Sequence, residues 1–156
     1  MFNVLITDPI SEQGLQILEN DKINIIYKPK ITEDELEAII SDIHGWIIRS
    51  GTTISKKNIN DATSLSVIGR AGVGVDNIDI DSATSNGIVV MNLPDGNTVS
   101  AAEHTMSMLS TLSRNIHEGH LGLLEGNWRR HELVGNELKD KVLGIVGLGK
   151  IGREVM

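Results

Sequence analysis

The chain has 156 residues, enough for one domain with a real core or for one domain and the opening of a second. It carries 14 basic against 21 acidic residues, a formal net charge of −7 whose long-range field repels polyanions and argues against nucleic acid or an anionic membrane as a partner. There is no cysteine, which removes disulfides, thiolate metal sites and cysteine nucleophiles. The first residues, Met1-Phe2-Asn3-Val4, show neither a basic leader nor a long apolar run, so the expected address is the cytoplasm.

Aromatic residues are only 3% of the chain, so the core must be built from Ile, Val, Leu and Ala, which suits parallel strands covered by helices on both faces. In chain order, short apolar runs at 4–7, 23–27, 45–48, 65–69 and 88–91 have the length and β-branched content of buried strands. Helical patterns lie between them. Ser11 opens the stretch with Leu15, Ile17 and Leu18, and Thr32 with Glu35 makes a capping box before Leu36, Ile39 and Ile40. Ser55 precedes a short helical turn at Lys56–Asp61. Asp79 leads into residues 81–85, and Gly87 suits the left-handed residue that ends that helix. Five such repeats predict an α/β fold with a doubly wound parallel sheet.

The rhythm breaks at Asn92-Leu93-Pro94-Asp95-Gly96-Asn97, a turn-rich crossing. A second capping box, Ser100 with Glu103, then opens a long helix to about Ile116. Residues 117–138, with Gly119, Gly122, Gly126 and Trp128, read as irregular. A new apolar run at 142–146 reads as the first strand of a second sheet, followed by the start of its helix. One strand and a fraction of a helix cannot bury a core, so the second domain is expected to be truncated. The predicted division is 1–95 and 96–156.

Three loops carry chemistry. Gly147-Leu148-Gly149-Lys150-Ile151-Gly152 is a G-x-G-x-x-G placed after a predicted strand and opening a predicted helix, the context of the dinucleotide fingerprint. The glycines give the tight turn, the close approach to a pyrophosphate and the packing of helix on strand. The plain alternative is a glycine-rich turn without a ligand. The acidic residue that would grip the ribose falls past residue 156, so the motif does not separate NAD from NADP. Arg70-Ala71-Gly72-Val73-Gly74-Val75-Asp76 follows the fourth strand; amides around Gly72 and Gly74 can cup a carboxylate, or the glycines can simply relieve strain. Arg49-Ser50-Gly51-Thr52 follows the third strand, where a guanidinium can hold a carboxylate or phosphate through two parallel bonds, or remain a solvated arginine. His117 and His120 stand three apart without a third ligand, so no metal site is expected; His44, His104 and His131 have no partner for base catalysis. Trp128 reads as a core or interface anchor.

These motifs together resemble the D-isomer-specific 2-hydroxyacid dehydrogenase family. The resemblance spans nearly the whole chain and rests on residues 49–52, VIGRAGVGVDNID from Val67, GIVVMNLPDGNTVSAAEH from Gly87 and ELKDKVLGIVGLGKIGREV from Glu137. It implies a flavodoxin-like substrate domain at 1–95, followed at 96–156 by the start of a Rossmann domain that binds NAD. It also implies that Arg49, Ser50, Gly72, Val73 and Gly74 meet the substrate anion, with Val73, where relatives carry threonine, also beside the nicotinamide. Lys150 and Ile151, with Gly147, Gly149 and Gly152, would meet the pyrophosphate, and Asn97 and Thr98 would lie beside the cofactor. Trp128 and the Ser100 helix would contact a second copy in a homodimer or larger homo-oligomer.

No catalytic residue is assigned, because the family's arginine, glutamate and histidine all lie downstream. The chain alone is therefore expected to be inactive. The implied substrate is a small 2-hydroxy acid, by preference 3-phosphoglycerate oxidised to 3-phosphohydroxypyruvate on the route to L-serine, with hydroxypyruvate or glyoxylate reduction as the alternative. A non-catalytic role in binding a dinucleotide or in regulation is the reading from a different class.

Overall fold

The computed structural model describes residues 1–156, which divide into two compact units, Met1–Gly96 and Asn97–Met156. In the first unit, five strands, β1 (Phe2–Ile6), β2 (Ile23–Tyr27), β3 (Gly45–Ile48), β4 (Val67–Arg70) and β5 (Val89–Asn92), form one sheet. All neighbours are parallel and the order is β2-β1-β3-β4-β5. The predicted runs identify every strand: 23–27 and 45–48 match residue for residue, and the ends of the other three are displaced by one or two because ladder pairing rather than the apolar run sets where a strand stops. Register places Leu5 beside Trp46, Trp46 beside Ile68 and Ile68 beside Val90. This row faces α2 (Glu33–Glu37), a 3-10 turn at Ile40–Asp42, α3 (Lys56–Asp61) and α4 (Ile80–Ser85). Leu5, Ile43, Ile48 and Ile68 are fully buried there. The opposite face carries Ile47 beside α1 (Glu12–Leu18), so helices flank both sides of the sheet.

The helix starts follow from side-chain capping. Ser11 accepts from the Gly14 amide, and Thr32 and Glu35 satisfy each other's backbone donors. The Thr32 amide and then the Lys28 ammonium hold the Glu35 carboxyl below its ordinary value. Ser55 caps α3 in a reciprocal box with Asn58, a partner the sequence pattern did not single out. Asp79 accepts from the Ser82 amide, and that bond lowers its pKa. A carboxyl with a depressed folded pKa stabilises fully above its unfolded value, and the contribution disappears as pH falls through the folded one. Asp79→Asn keeps the capping oxygen, so its urea midpoint should match the parent's near neutrality and fall less on acidification. A parallel acid dependence in the two proteins would refute this. Gly87, at φ +70°, ends α4 as expected.

The second unit departs from the sequence reading in three places. Its first helix, α5 (Thr98–Ser113), begins two residues before the expected cap. Ser100 lies inside the first turn and donates its hydroxyl to the Asn97 carbonyl, so neither Ser100 nor Glu103 caps anything. The helix stops short of Ile116 because Asn115 adopts φ +50°. Second, the stretch read as irregular contains α6 (Ile116–Leu124). Its glycines serve packing: a side chain on Gly122 would press within 3.3 Å of the Asn127 carbonyl, and one on Gly119 would meet Leu133. Gly126, at φ +76°, closes α6; its amide donates to the Leu123 carbonyl and that of Asn127 to Gly122, a Schellman ending. Third, residues 142–146 form no strand, and Val142 and Val146 are fully exposed. A strand exists only through a paired neighbour, and this unit contains no strand to pair with. A final short helix, α7 (Lys150–Val155), closes the chain.

Candidate functional site

In the first unit the chemistry-bearing loops all leave the carboxyl ends of strands, where open parallel sheets hold their ligands. Arg49 and Ser50 follow β3 and are exposed. Gly72, Val73 and Gly74 follow β4, next door in the sheet, and the Ala71 amide donates to the Ile48 carbonyl at 2.8 Å to tie the two exits together. The structure thus brings Arg49, Ser50, Gly72, Val73 and Gly74 onto one edge of one sheet.

Two residues that the sequence reading missed hold this edge in shape. Asp8, just beyond β1, is 7% exposed and accepts from the Arg49 amide (2.7 Å) and the Thr52 amide (3.1 Å) through the same oxygen, Oδ2. Asn77 grips the loop from its carbonyl side, its Nδ2 donating to Arg49 (2.7 Å) and Thr52 (2.5 Å). Donors and acceptors of the 49–52 loop are therefore both satisfied by side chains from elsewhere. A signal for Asp8 did exist: Thr7-Asp8 is a polar pair directly after a buried strand. Nothing local marks Asn77.

The Gly72 loop differs in one respect from the expected amide cup. The Gly72 N–H donates to the Arg70 carbonyl at 2.8 Å, which leaves Val73 and Gly74 as the amides able to meet an anion. The loop is held by the Asn92 side chain, donating to the Val73 carbonyl, and by the Leu93 amide, donating to that of Gly72. The Arg70 guanidinium folds over the bare α-carbon of Gly72, and its Nε is buried without a partner. Asp76 leans over Gly74, its Oδ1 2.7 Å from where a β-carbon would stand. Neither Arg49 nor Arg70 is in an ion pair, so two cations stand ready at adjacent strand ends. The Arg49 side chain reaches only the Pro9 carbonyl, at 3.3 Å.

In the second unit Gly147 adopts φ +100°, a conformation open to glycine and strained for other residues. Gly149 is the extended N-cap of α7, and Lys150 and Ile151 form its first turn. A side chain on Gly152 would collide with the Gly147 carbonyl, so the third glycine is required for the turn to fold back on the helix. Gly147 and Gly152 thus shape a tight turn into α7, and the strand expected before it is absent. Asn97 caps α5 and Thr98 is its first residue. Trp128 is 74% exposed and therefore not a core residue.

The histidines do not assemble. His44 lies at the amino end of the sheet, where its Nδ1 accepts from the Asn3 amide and its ring meets Phe2 edge-on. His104, His117, His120 and His131 are exposed, and no three metal-ligating side chains converge anywhere. No helix is long and apolar enough to cross a membrane.

Residues 4–145 match the model of the D-isomer specific 2-hydroxyacid dehydrogenase catalytic domain. The chain belongs to this family. Among curated relatives, it is 47% identical to the D-3-phosphoglycerate dehydrogenase of Bacillus subtilis (strain 168), over 99% of this chain and 29% of that protein. The protein of the same name from Sus scrofa is 45% identical over 97% of this chain and 28% of its own length. The chain thus spans less than a third of the curated relatives it matches. Two of the solved structures that cover 99% of it serve for comparison. One is the TT0316 protein of Thermus thermophilus, with a TM-score of 0.90 and 28% identity over 51% of that chain. The other is the NAD-dependent formate dehydrogenase of Staphylococcus aureus in complex with NAD, with a TM-score of 0.87 and 30% identity over 52% of that chain.

Proposed function

We propose that the chain supplies the acid-binding unit and the dinucleotide loop of an NAD-dependent D-2-hydroxyacid dehydrogenase whose substrate is 3-phosphoglycerate. The observation that carries this reading is the pair of unpaired arginines, Arg49 and Arg70, at adjacent strand ends in a member of this family. An acid with two anionic groups, a carboxylate and a phosphate, gives both a partner. Residues 1–95 act as the substrate domain, with Arg49, Ser50, Val73 and Gly74 around the carboxylate or phosphate. Residues 96–156 open the cofactor domain. Gly147, Gly149 and Gly152 leave room for a pyrophosphate against the backbone of Lys150 and Ile151, with Asn97, Thr98 and Val73 nearer the nicotinamide. When bound, NAD takes up the hydride released from the hydroxyl-bearing carbon. The residues of this chain hold and orient the acid; no general base is assigned among them. The exposed Trp128 and apolar α5 side chains such as Leu112 are assigned to contact with a second copy.

The test joins residues 1–156 in frame to the remaining length of the Bacillus subtilis relative and measures oxidation of 3-phosphoglycerate with NAD, beside glycerate and hydroxypyruvate. Arg49→Ala is expected to raise KM for the phosphorylated acid by about ten- to a hundredfold, the worth of one charge-assisted bidentate contact, while KM for NAD stays put. Gly152→Val should instead abolish NAD binding. A folded chimera that turns over none of these acids refutes the activity, and an unchanged KM in Arg49→Ala refutes the assignment of Arg49.

A further inference from the structure

The Met1–Gly96 unit has a cavity of about 520 Å3 on the side of the strand ends away from the Arg49 guanidinium. It lies where the sheet order reverses. From β1 the chain steps outward to β2, then crosses back to β3 on the other side of β1; the loops leaving β1 and β3 are bonded together, and the crevice lies between them and the segment that follows β2. Thr7, Asp8, Gly51 and Thr52, bonded to one another, form one wall with Trp46 behind them, and Lys30, Ile31, Thr32, Glu33 and Leu36 face them from beyond β2.

The polar groups in this crevice are incompletely used. Asp8 is more than nine-tenths buried, yet no cation pairs with it and both of its hydrogen bonds fall on Oδ2. Its Oδ1 rests against the bare α-carbon of Gly51, where any side chain would collide with it. A buried carboxylate without a counter-charge is costly, and a donor on Oδ1 relieves that cost. Behind it, the Trp46 indole N–H donates to Thr7 Oγ1 (3.0 Å), and Thr7 and Thr52 share one hydroxyl–hydroxyl bond (2.9 Å). Two hydroxyl protons and one mutual bond leave one proton for a guest. Lys30 is exposed, in no ion pair, and held at φ +67° with its amide on the Thr7 carbonyl (3.3 Å). Ile31 and Leu36 give the lining its apolar part, beside Thr32, Glu33, Thr53 and Asn58.

We infer that this crevice is a second small-molecule site, separate from the acid-binding edge, and that it takes a small zwitterion of the α-amino-acid class. The ammonium meets Asp8 Oδ1. The carboxylate lies toward Lys30 and the spare hydroxyl proton, and a short aliphatic side chain rests on Ile31 and Leu36. Because Asp8 also holds the amides of Arg49 and Thr52, occupancy acts on the loop that presents Arg49. The inference stands on the Met1–Gly96 unit alone and is independent of the dehydrogenase reading.

Amide and indole NMR spectra of the 156-residue chain test it, titrated with L-alanine, ethylammonium and propionate to about 50 mM, well above the millimolar affinities of small ligands. L-Alanine should give saturable shifts of the Trp46 indole and Thr52 amide signals, ethylammonium weaker ones and propionate none. Asp8→Asn should weaken alanine binding by about tenfold or more. Lys30→Asn, an exposed change that tolerates the positive φ, should remove the preference for alanine over ethylammonium and decides the matter if Asp8→Asn does not fold. The inference is overturned if no probe shifts those two signals saturably, if propionate binds as well as alanine, or if neither variant changes the titration.

Discussion

Replacing Trp46 by alanine is expected to destabilise the Met1–Gly96 unit by about 3–5 kcal/mol, the range for truncating a large buried aromatic. Trp46 is 1% exposed, sits on the central strand β3, and lies in register between Leu5 and Ile68, both fully buried. Truncation opens a void at the middle of the core and strips the Thr7 hydroxyl of the indole proton it accepts. Domains of this size are stable by about 5–15 kcal/mol in total, so this one change removes a large part of the margin. Urea unfolding followed by far-ultraviolet circular dichroism measures it, with Trp128→Ala as the control. Trp128 is 74% exposed, and its loss should move the midpoint by no more than about 0.5 kcal/mol equivalent in the monomer. If the two variants unfold alike, the assignment of Trp46 to the core is wrong.

Asp8→Ala should be nearly as damaging, by a different route. The carboxylate satisfies two part-buried amides of one loop, and a buried donor left without an acceptor costs about 1–3 kcal/mol, so the pair costs at most roughly 2–6 kcal/mol. The effect should be local first. Hydrogen exchange at the Arg49 and Thr52 amides is expected to accelerate by about thirtyfold or more, whereas the amides of β1 and β4 keep their protection up to global unfolding. Asn77 still holds the carbonyls of Arg49 and Thr52, so the loop loosens without dissolving. Asp8→Asn retains an acceptor oxygen and should leave exchange close to the parent's. Unchanged exchange at both amides in Asp8→Ala would mean that another group organises the loop.

Much of the first unit was legible because its signals are local. The β-branched runs, the caps at Ser11, Thr32, Ser55 and Asp79, and the left-handed Gly87 each act within a few residues of where they are written. The loops at Arg49 and Gly72 were legible for the same reason, since a glycine-rich exit from a buried strand announces itself. The bracing roles of Asp8 and Asn77 were not, although Thr7-Asp8 does stand as a polar pair after a buried strand. Each acts on a loop about 25–45 positions away in the chain, and only folding reveals that distance in sequence is contact in space. In the second unit, local rules misled. Ser100 and Glu103 have capping-box spacing, but the turn ahead of them starts α5 at Thr98. The glycines of α6 look like breakers, yet they are where the chain packs closely on itself.

The sequence by itself therefore determined the alternation of strand and helix, the parallel sheet that such alternation requires, the conformation at Gly87, and family membership through the order of its motifs. Tertiary structure alone decided two things. It turned Asp8 into the brace of the Arg49 loop and left residues 142–146 without strand pairing. The physical reason is common to both: a hydrogen bond needs its partner in place, and whether a distant segment supplies one cannot be read in a window of neighbouring residues.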